Sequence, residues 1–443
     1  MSASTAMSSA CPSAAPSATQ RGADTPFGAH GATASPSAWP TRHGQDLAAS
    51  RRMARRLKWL TRGNPDPTPE QWAAMGQGLR DGDPLADALV DWMESVGMRQ
   101  GWARLEAALA QGPEVWRRHP ASMDAPPALR AYLECVWSTP SWLDAERLAR
   151  GAALLQSTGL HGMMVLRDAG LMAGYQASAI NQALLMTGSL HRGAQRRVAE
   201  TTSWWLACTG DGGMSVGAPG FMSTVRVRVM HALVRARLSH HPDWRAEDWG
   251  LPINQVDMQA TYLAFGVVQL LSLRTTGVLM TQRDADAVMH LWRYIGWLMG
   301  VDERWLCDDE ATGRVLLYQN LLSQAPADDS SVQLGRALAD EPLHRLYPWG
   351  GAWRGRFNRA RHLSLVRWFV GGDGMRRLGL RPVWPWYPVL MALPLAVGSG
   401  LGLLVPPLGR AWRRAARARQ EAYLTVLMGE AKAPHAGPVE AAR

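Results

Sequence analysis

The sequence predicts an all-α fold: a single large helical domain with a disordered N-terminal tail and an apolar C-terminal segment. Three observations support this. From about Trp72 to Gly350, apolar residues recur at intervals of three and four, the spacing of one buried helix face. Alternating β-branched runs, the mark of half-buried strands, are scarce there. Gly and Pro punctuate the periodic runs, as turns between helices require. At 443 residues, 47% apolar and 19% charged, the chain is long and apolar enough to bury a large core.

Residues 1–50 are rich in Ser, Ala, Pro, Thr and Gly. Such a segment buries too little surface to offset its ordering entropy, and it is expected to be disordered. Residues 51–71 form a basic lead-in, with six positive groups and no acid between Arg51 and Arg62. No apolar signal region is present, and the Arg51-Arg52 pair is followed by Arg55 and Arg56 where an export signal would turn apolar. Residues 72–350 are the helical domain. Within it, Asn254 with Asp257 marks a helix start before the apolar run ending near Leu273, and Thr281 with Asp284 marks one before Ala285–Val301. Gly250 and Gly300 stand where helices stop.

A basic connector, 351–381, leads to the charge-free stretch 382–409, and 410–443 is a basic tail. Trp384, Trp386 and Tyr387 lie at one end of the 28 uncharged residues and the Arg410–Arg419 cluster beyond the other, an arrangement suited to membrane insertion. Pro394 and Pro406-Pro407 leave a clean stretch, Val389–Val405, of 17 residues, near the lower limit of roughly 17–25 for crossing a bilayer. Two alternatives follow: attachment of residues 382–419 to a membrane, on its cytoplasmic side, or a helix hairpin packed on the body.

The formal charge of +10 resides in short segments. Removing the six positive groups of 51–62 and the five of 410–419 leaves a body near −1, which argues against a broad nucleic-acid-binding face. Lysines number two, Lys58 and Lys432, both at the margins; a Schiff-base or phosphate-loop lysine inside the fold is therefore not expected. The four cysteines are widely spaced without a Cys-x-x-Cys pair, so neither a disulfide framework nor a thiolate zinc site is indicated and a reducing compartment is expected.

The run Met222–Leu238 carries the first candidate site. On a helix Val227, His231, Val234 and Leu238 share one face, with Arg228 and Arg235 beside the imidazole. Guanidinium charge nearby keeps a buried imidazole neutral, as metal ligation requires, and the arginines are candidates for pairing with cofactor carboxylates. The plain alternative is a core histidine bonded to a carbonyl. A second face joins Arg197, Thr201, Trp204, Trp205 and Cys208, a mixture suited to the polar end of an apolar pocket or to an amphipathic surface. Gly213-Met214-Ser215-Val216-Gly217 matches G-x-S-x-G. A nucleophile elbow needs a preceding strand, however, and here the preceding pattern is helical. His161, His191 and His290 flank or enter apolar runs, while His30, His43 and His435 fall in the tails. No histidine–carboxylate spacing makes a self-contained metal site. A single histidine in an apolar helical cavity suits haem better than a bare ion.

Several motifs taken together resemble a known family. They are Trp142-Leu143-Asp144, Gly174-Tyr175, Arg197-x-x-Glu200-Thr201, Arg226-Val227-Arg228-Val229-Met230-His231-Ala232-Leu233-Val234-Arg235, Pro252-Ile253-Asn254-Gln255-x-Asp257 and Trp292-Arg293-x-Ile295-Gly296. Over roughly residues 80–320 the chain resembles the rubber oxygenase (latex-clearing protein) and ER-bound fungal oxygenase family. The resemblance implies a globin-like helical core around one haem b, with His231 as proximal iron ligand and Arg197 and Thr201 on the distal side. It places Glu200 where the rubber-cleaving branch has a lysine that caps the iron, and Asn181 near the place of a distal glutamate base. The function it implies is a haem-dependent oxygenase acting with O2 on a hydrophobic, isoprenoid or other alkene substrate. The alternatives are a non-catalytic haem or lipid carrier, suggested by Glu200 and Asn181, and a serine hydrolase using Ser215.

Overall fold

The structure is a computed structural model and describes residues 39–188 and 193–429. The readings for 1–38, His191 and 430–443 lie outside the described residues. The chain opens with α1 (Leu47–Trp59), α2 (Pro69–Gly78), α3 (Pro84–Val96), α4 (Met98–Arg118), α5 (Pro120–Met123) and α6 (Pro127–Trp137). Next come α7 (Ala145–Ser157), α8 (Gly159–Val165), α9 (Met172–Gly174), α10 (Ser178–Met186), α11 (Ala194–Cys208) and α12 (Pro219–Ser239). α13 (Ala246–Trp249), α14 (Gln255–Leu263), α15 (Gln269–Thr275), α16 (Gln282–Leu298), α17 (Glu310–Leu322) and α18 (Asp329–Asp340) follow. The last three are α19 (Gly351–Arg377), α20 (Trp386–Leu404) and α21 (Pro406–Met428). No strand occurs among the described residues, so the fold is all-α as expected.

Helix starts follow local chemistry. The Asn254 side chain accepts from the Asp257 N–H at 3.0 Å, opening α14, and Thr281 Oγ1 accepts from the Asp284 N–H at 3.1 Å, opening α16. α16 therefore begins at Gln282, three residues before the expected Ala285, because the cap precedes its first turn. Two π turns interrupt the regular spacing, Leu166–Leu171 after α8 and Ala264–Val268 after α14, and they pack against each other. Each adds a residue to the helical repeat, so faces read at regular spacing shift across it.

α16, buried along most of its length, packs on α7, and α12 packs on α3, α11 and α16. α7 passes close to α16 at Gly151, where an added Cβ would lie 2.4 Å from the Ala287 carbonyl oxygen. Gly151→Ala is expected to force the two helices apart and to cost about 1–3 kcal/mol in urea unfolding.

Two departures from expectation concern the margins of the domain. Ordered chain begins before residue 51: Arg42 is 1% exposed, paired with the Asp257 carboxylate and bonded to the Trp249 carbonyl at 3.2 Å. His43 beside it stacks on Trp72 at 3.8 Å. The segment 351–381, expected to be a connector, is mostly the helix α19. Cys208 and Cys307 are free and buried.

Candidate active site around His231

α12 begins at Pro219, whose fixed φ suits the first helical turn. Three turns later it presents His231 and Val234 to a cavity of about 310 Å³, within the size range of small-molecule sites. The imidazole is enclosed by protein, with its cavity-facing edge open. Nδ1 is buried and has no hydrogen-bond partner. The carbonyl-bonded core histidine anticipated as the plain alternative is thus not found. Burial, then the Arg235 charge, lowers the pKa to about 4, with Asp83 opposing; the ring is neutral at pH 7.

The folded pKa near 4 lies below the ordinary histidine value of 6.5. Between these values the unfolded chain binds the proton and the folded chain does not, so stability falls as pH drops from 6.5 toward 4. The His231 share is on the order of 3 kcal/mol. Urea unfolding of the apoprotein at pH 7 and pH 4.5 should show His231→Phe losing less stability on acidification than the parent chain. This comparison isolates His231 from Asp168, whose carboxyl is pushed up to about 7 by burial and acts in the opposite direction.

The neighbouring arginines are committed elsewhere. Arg228 grips Asp83 through Nε at 2.6 Å and Nη2 at 2.8 Å and lies over the Tyr132 ring. Its expected role as a cofactor contact is corrected by its position: the guanidinium is turned to Asp83, and Arg228 does not line the cavity. Arg235, expected in the same role, donates Nε to Asp87 and Nη1 to the Ile253 carbonyl, both at 2.8 Å. Ile253 is the non-glycine residue with positive φ among those described, at 50°. A β-branched residue there is strained, so Arg235 fastens a strained turn whose side chain lines the cavity.

α11 separates two cavities. Arg197 and Trp204 line the large one, and Arg197 lies over the Tyr175 ring at 5.7 Å. Thr201 instead lines a small neighbouring cavity of about 30 Å³ with Trp205, Arg345 and His362. The structure thus brings Arg197 and His231 to one cavity and leaves Thr201 facing the other. Glu200, expected at the site, is exposed, and its carboxylate takes Arg196 Nε at 2.8 Å. Asn181 is fully buried away from the cavity, donating to the Tyr175 carbonyl at 2.8 Å and to Ser330 Oγ at 3.1 Å.

Beyond Trp204, which the sequence placed on a pocket-suited face, the reading missed much of the cavity wall. Trp204, Phe265 and Trp292 form an aromatic group, with Phe265 stacked on Trp292 at 4.8 Å and edge-on to Trp204 at 5.2 Å. Phe265 reaches it from the π turn, which regular spacing does not anticipate. Asp257, held by Arg42 and by Asn254 Nδ2 at 2.9 Å, also lines the cavity.

The other candidates are structural. His290 binds Asp308 at 2.6 Å and the Asp144 N–H at 3.0 Å, and His161 binds Thr276 at 2.8 Å. Ser215 is exposed in the loop between α11 and α12, with a helix rather than a strand before it, so the elbow reading fails. No group of three or more His, Cys, Asp or Glu placed to hold a metal ion occurs among the described residues.

The family model described as "ER-bound oxygenase mpaB/B'/Rubber oxygenase, catalytic domain" matches residues 156–399, reaching further toward the C-terminus than the motifs do. The rubber oxygenase of Streptomyces sp. (strain K30) is 25% identical over 236 residues, 51% of this chain and 54% of that protein. The chain thus spans about half the length of this curated relative. A solved structure of latex clearing protein in the closed state shares the fold, with TM-score 0.58 and 21% identity over 78% of this chain and 91% of that one. With more than half of its length matched, the chain belongs to the mpaB/rubber oxygenase family.

Proposed function

We propose that the chain is a haem b-dependent oxygenase acting with O2 on a hydrophobic alkene, such as an isoprenoid, by oxidation or cleavage at a double bond. The observation that carries this is a neutral imidazole, with an unpartnered buried Nδ1, opening onto an apolar cavity that also receives Arg197. The residues fit the group: a neutral histidine is a good iron ligand, and the tryptophan and phenylalanine walls suit a porphyrin and an apolar substrate. His231 would hold the iron, which when bound supplies dioxygen binding and redox chemistry.

The chain's own groups would do the rest. Arg197 makes no ion pair among the described residues, so its donors are available to oxygen atoms that gain negative charge. Trp204, Phe265 and Trp292 exclude water and offer ring faces to an alkene. The rubber-cleaving relative supports a polyisoprene-like substrate class.

Arg197→Ala should retain bound haem yet lower alkene-dependent oxygen uptake by about a hundredfold or more. Oxygen uptake by the parent chain separates the oxygenase from the non-catalytic carrier: a haem-loaded protein that consumes no oxygen with any alkene offered would favour the carrier.

A further inference from the structure

The apolar segment of residues 382–409 has a two-sided structure. α20 runs unbroken through Pro394. Its inner face meets the body at three points. The Tyr387 N–H donates to Ser364 Oγ at 2.9 Å, and Ser399 Oγ accepts from the Leu279 N–H at 2.9 Å. Between these, an added Cβ on Gly277 would lie 2.3 Å from the Ala392 carbonyl oxygen. The outer face is bare: Leu390, Leu393, Val397, Leu401 and Leu404 share one stripe, and Leu393 and Leu404 are 72% and 80% exposed.

Such a stripe needs an occupant, and charge identifies it. Between residues 346 and 420 there are thirteen arginines and one acid, Asp373, a net of +12 in a chain whose total is +10. Exposed arginines stand just beyond each end of α20, Arg381 on one side and Arg410 and Arg414 on the other, each accompanied by an exposed tryptophan, Trp384 and Trp412. A second copy of the chain docking through this face would oppose arginine to arginine. An anionic lipid surface would meet apolar side chains with acyl chains and arginines with phosphates.

We propose that α20 docks the protein on an anionic membrane surface, lying in the plane of one leaflet. α20 is tethered to the body at Tyr387, Ala392 and Ser399, while most of its surface is open and Pro388 is its one fully buried residue. A spanning helix, with lipid all round, would have to break the Ser399 and Tyr387 contacts. The outer stripe then sits among acyl chains, with Trp384 and Trp412 at headgroup level.

The test is flotation of the purified full chain with vesicles of phosphatidylcholine containing one-third phosphatidylglycerol, alongside pure phosphatidylcholine. The chain is expected to float with the anionic vesicles and to be released by high salt. Leu393→Asp with Val397→Asp should reduce the bound fraction by about tenfold or more. Both positions face solvent, so circular dichroism and the melting curve should be unchanged. Failure to float at low salt overturns the proposal. So does a dimer in solution that the same two substitutions dissolve while no vesicle binding is seen, which would assign the face to a second copy. Depth is read with a fluorophore on Leu390→Cys, Val397→Cys or Leu404→Cys and lipid-borne quenchers. Equal depths support in-plane docking, whereas a deep Val397 between shallow ends overturns it.

Discussion

His231→Ala is expected to give a folded protein that carries no haem. The side chain makes no hydrogen bond in the fold, so its removal breaks no partner group, and its buried unpaired Nδ1 costs the apoprotein free energy rather than contributing it. The truncation leaves a larger cavity next to an existing one, so the net change in apoprotein stability should be small. The spectrum should change completely. The parent chain is expected to show a Soret band with close to one haem per chain, and the variant none, with free imidazole restoring part of the absorbance by refilling the vacated position. Haem content by the pyridine method, read beside far-ultraviolet circular dichroism, checks both halves. A variant with full haem content would remove His231 from the role of ligand.

Breaking the Arg228–Asp83 pair should have the largest effect on stability. Both groups are buried and joined by two bonds, at 2.6 and 2.8 Å. Asp83 also caps α3 by accepting from the Ala86 N–H at 3.3 Å. Arg228→Ala leaves an uncompensated buried carboxylate, and Asp83→Ala an uncompensated guanidinium; each should cost about 3–5 kcal/mol in urea unfolding. Arg228→Met with Asp83→Leu removes both charges and should cost much less than either single change. This double variant should also retain its haem, because the pair supports α12 from behind and does not reach into the cavity. Loss of haem from a stably folded double variant would return Arg228 to the cofactor.

The fold was legible where the information is local. Periodicity gave the helices, and Asn254 and Thr281 announced helix starts because a capping side chain lies within three residues of the N–H it accepts from. Partners far apart in the chain were not legible. The faces of Arg228 and Arg235 were read from spacing, yet their carboxylates, Asp83 and Asp87, lie nearly 150 residues upstream. A helical wheel gives direction but not what lies there. Arg42 was hidden for a different reason: a window rich in Ser, Ala and Pro reads as disordered, and one buried guanidinium with a distant carboxylate does not change the average.

On α11 the reading failed by a fraction of a turn. Relative to Arg197, Trp204 points about −20° around the helix, Thr201 about 40° and Trp205 about 80°. They look like one face. The partition between the two cavities runs through it, leaving Arg197 and Trp204 on one side and Thr201 and Trp205 on the other. Phe265 gave no local signal at all, since the π turn that aims it depends on packing against a second π turn about a hundred residues upstream.

What remains to be tested is the proposal that His231 would hold a haem beside the large cavity. The absorption spectrum of the purified chain tests it most directly, recorded oxidised, reduced, and reduced under carbon monoxide. A Soret band that shifts when carbon monoxide is added to the reduced protein is the predicted result. A colourless protein that acquires no Soret band on incubation with haemin would contradict it.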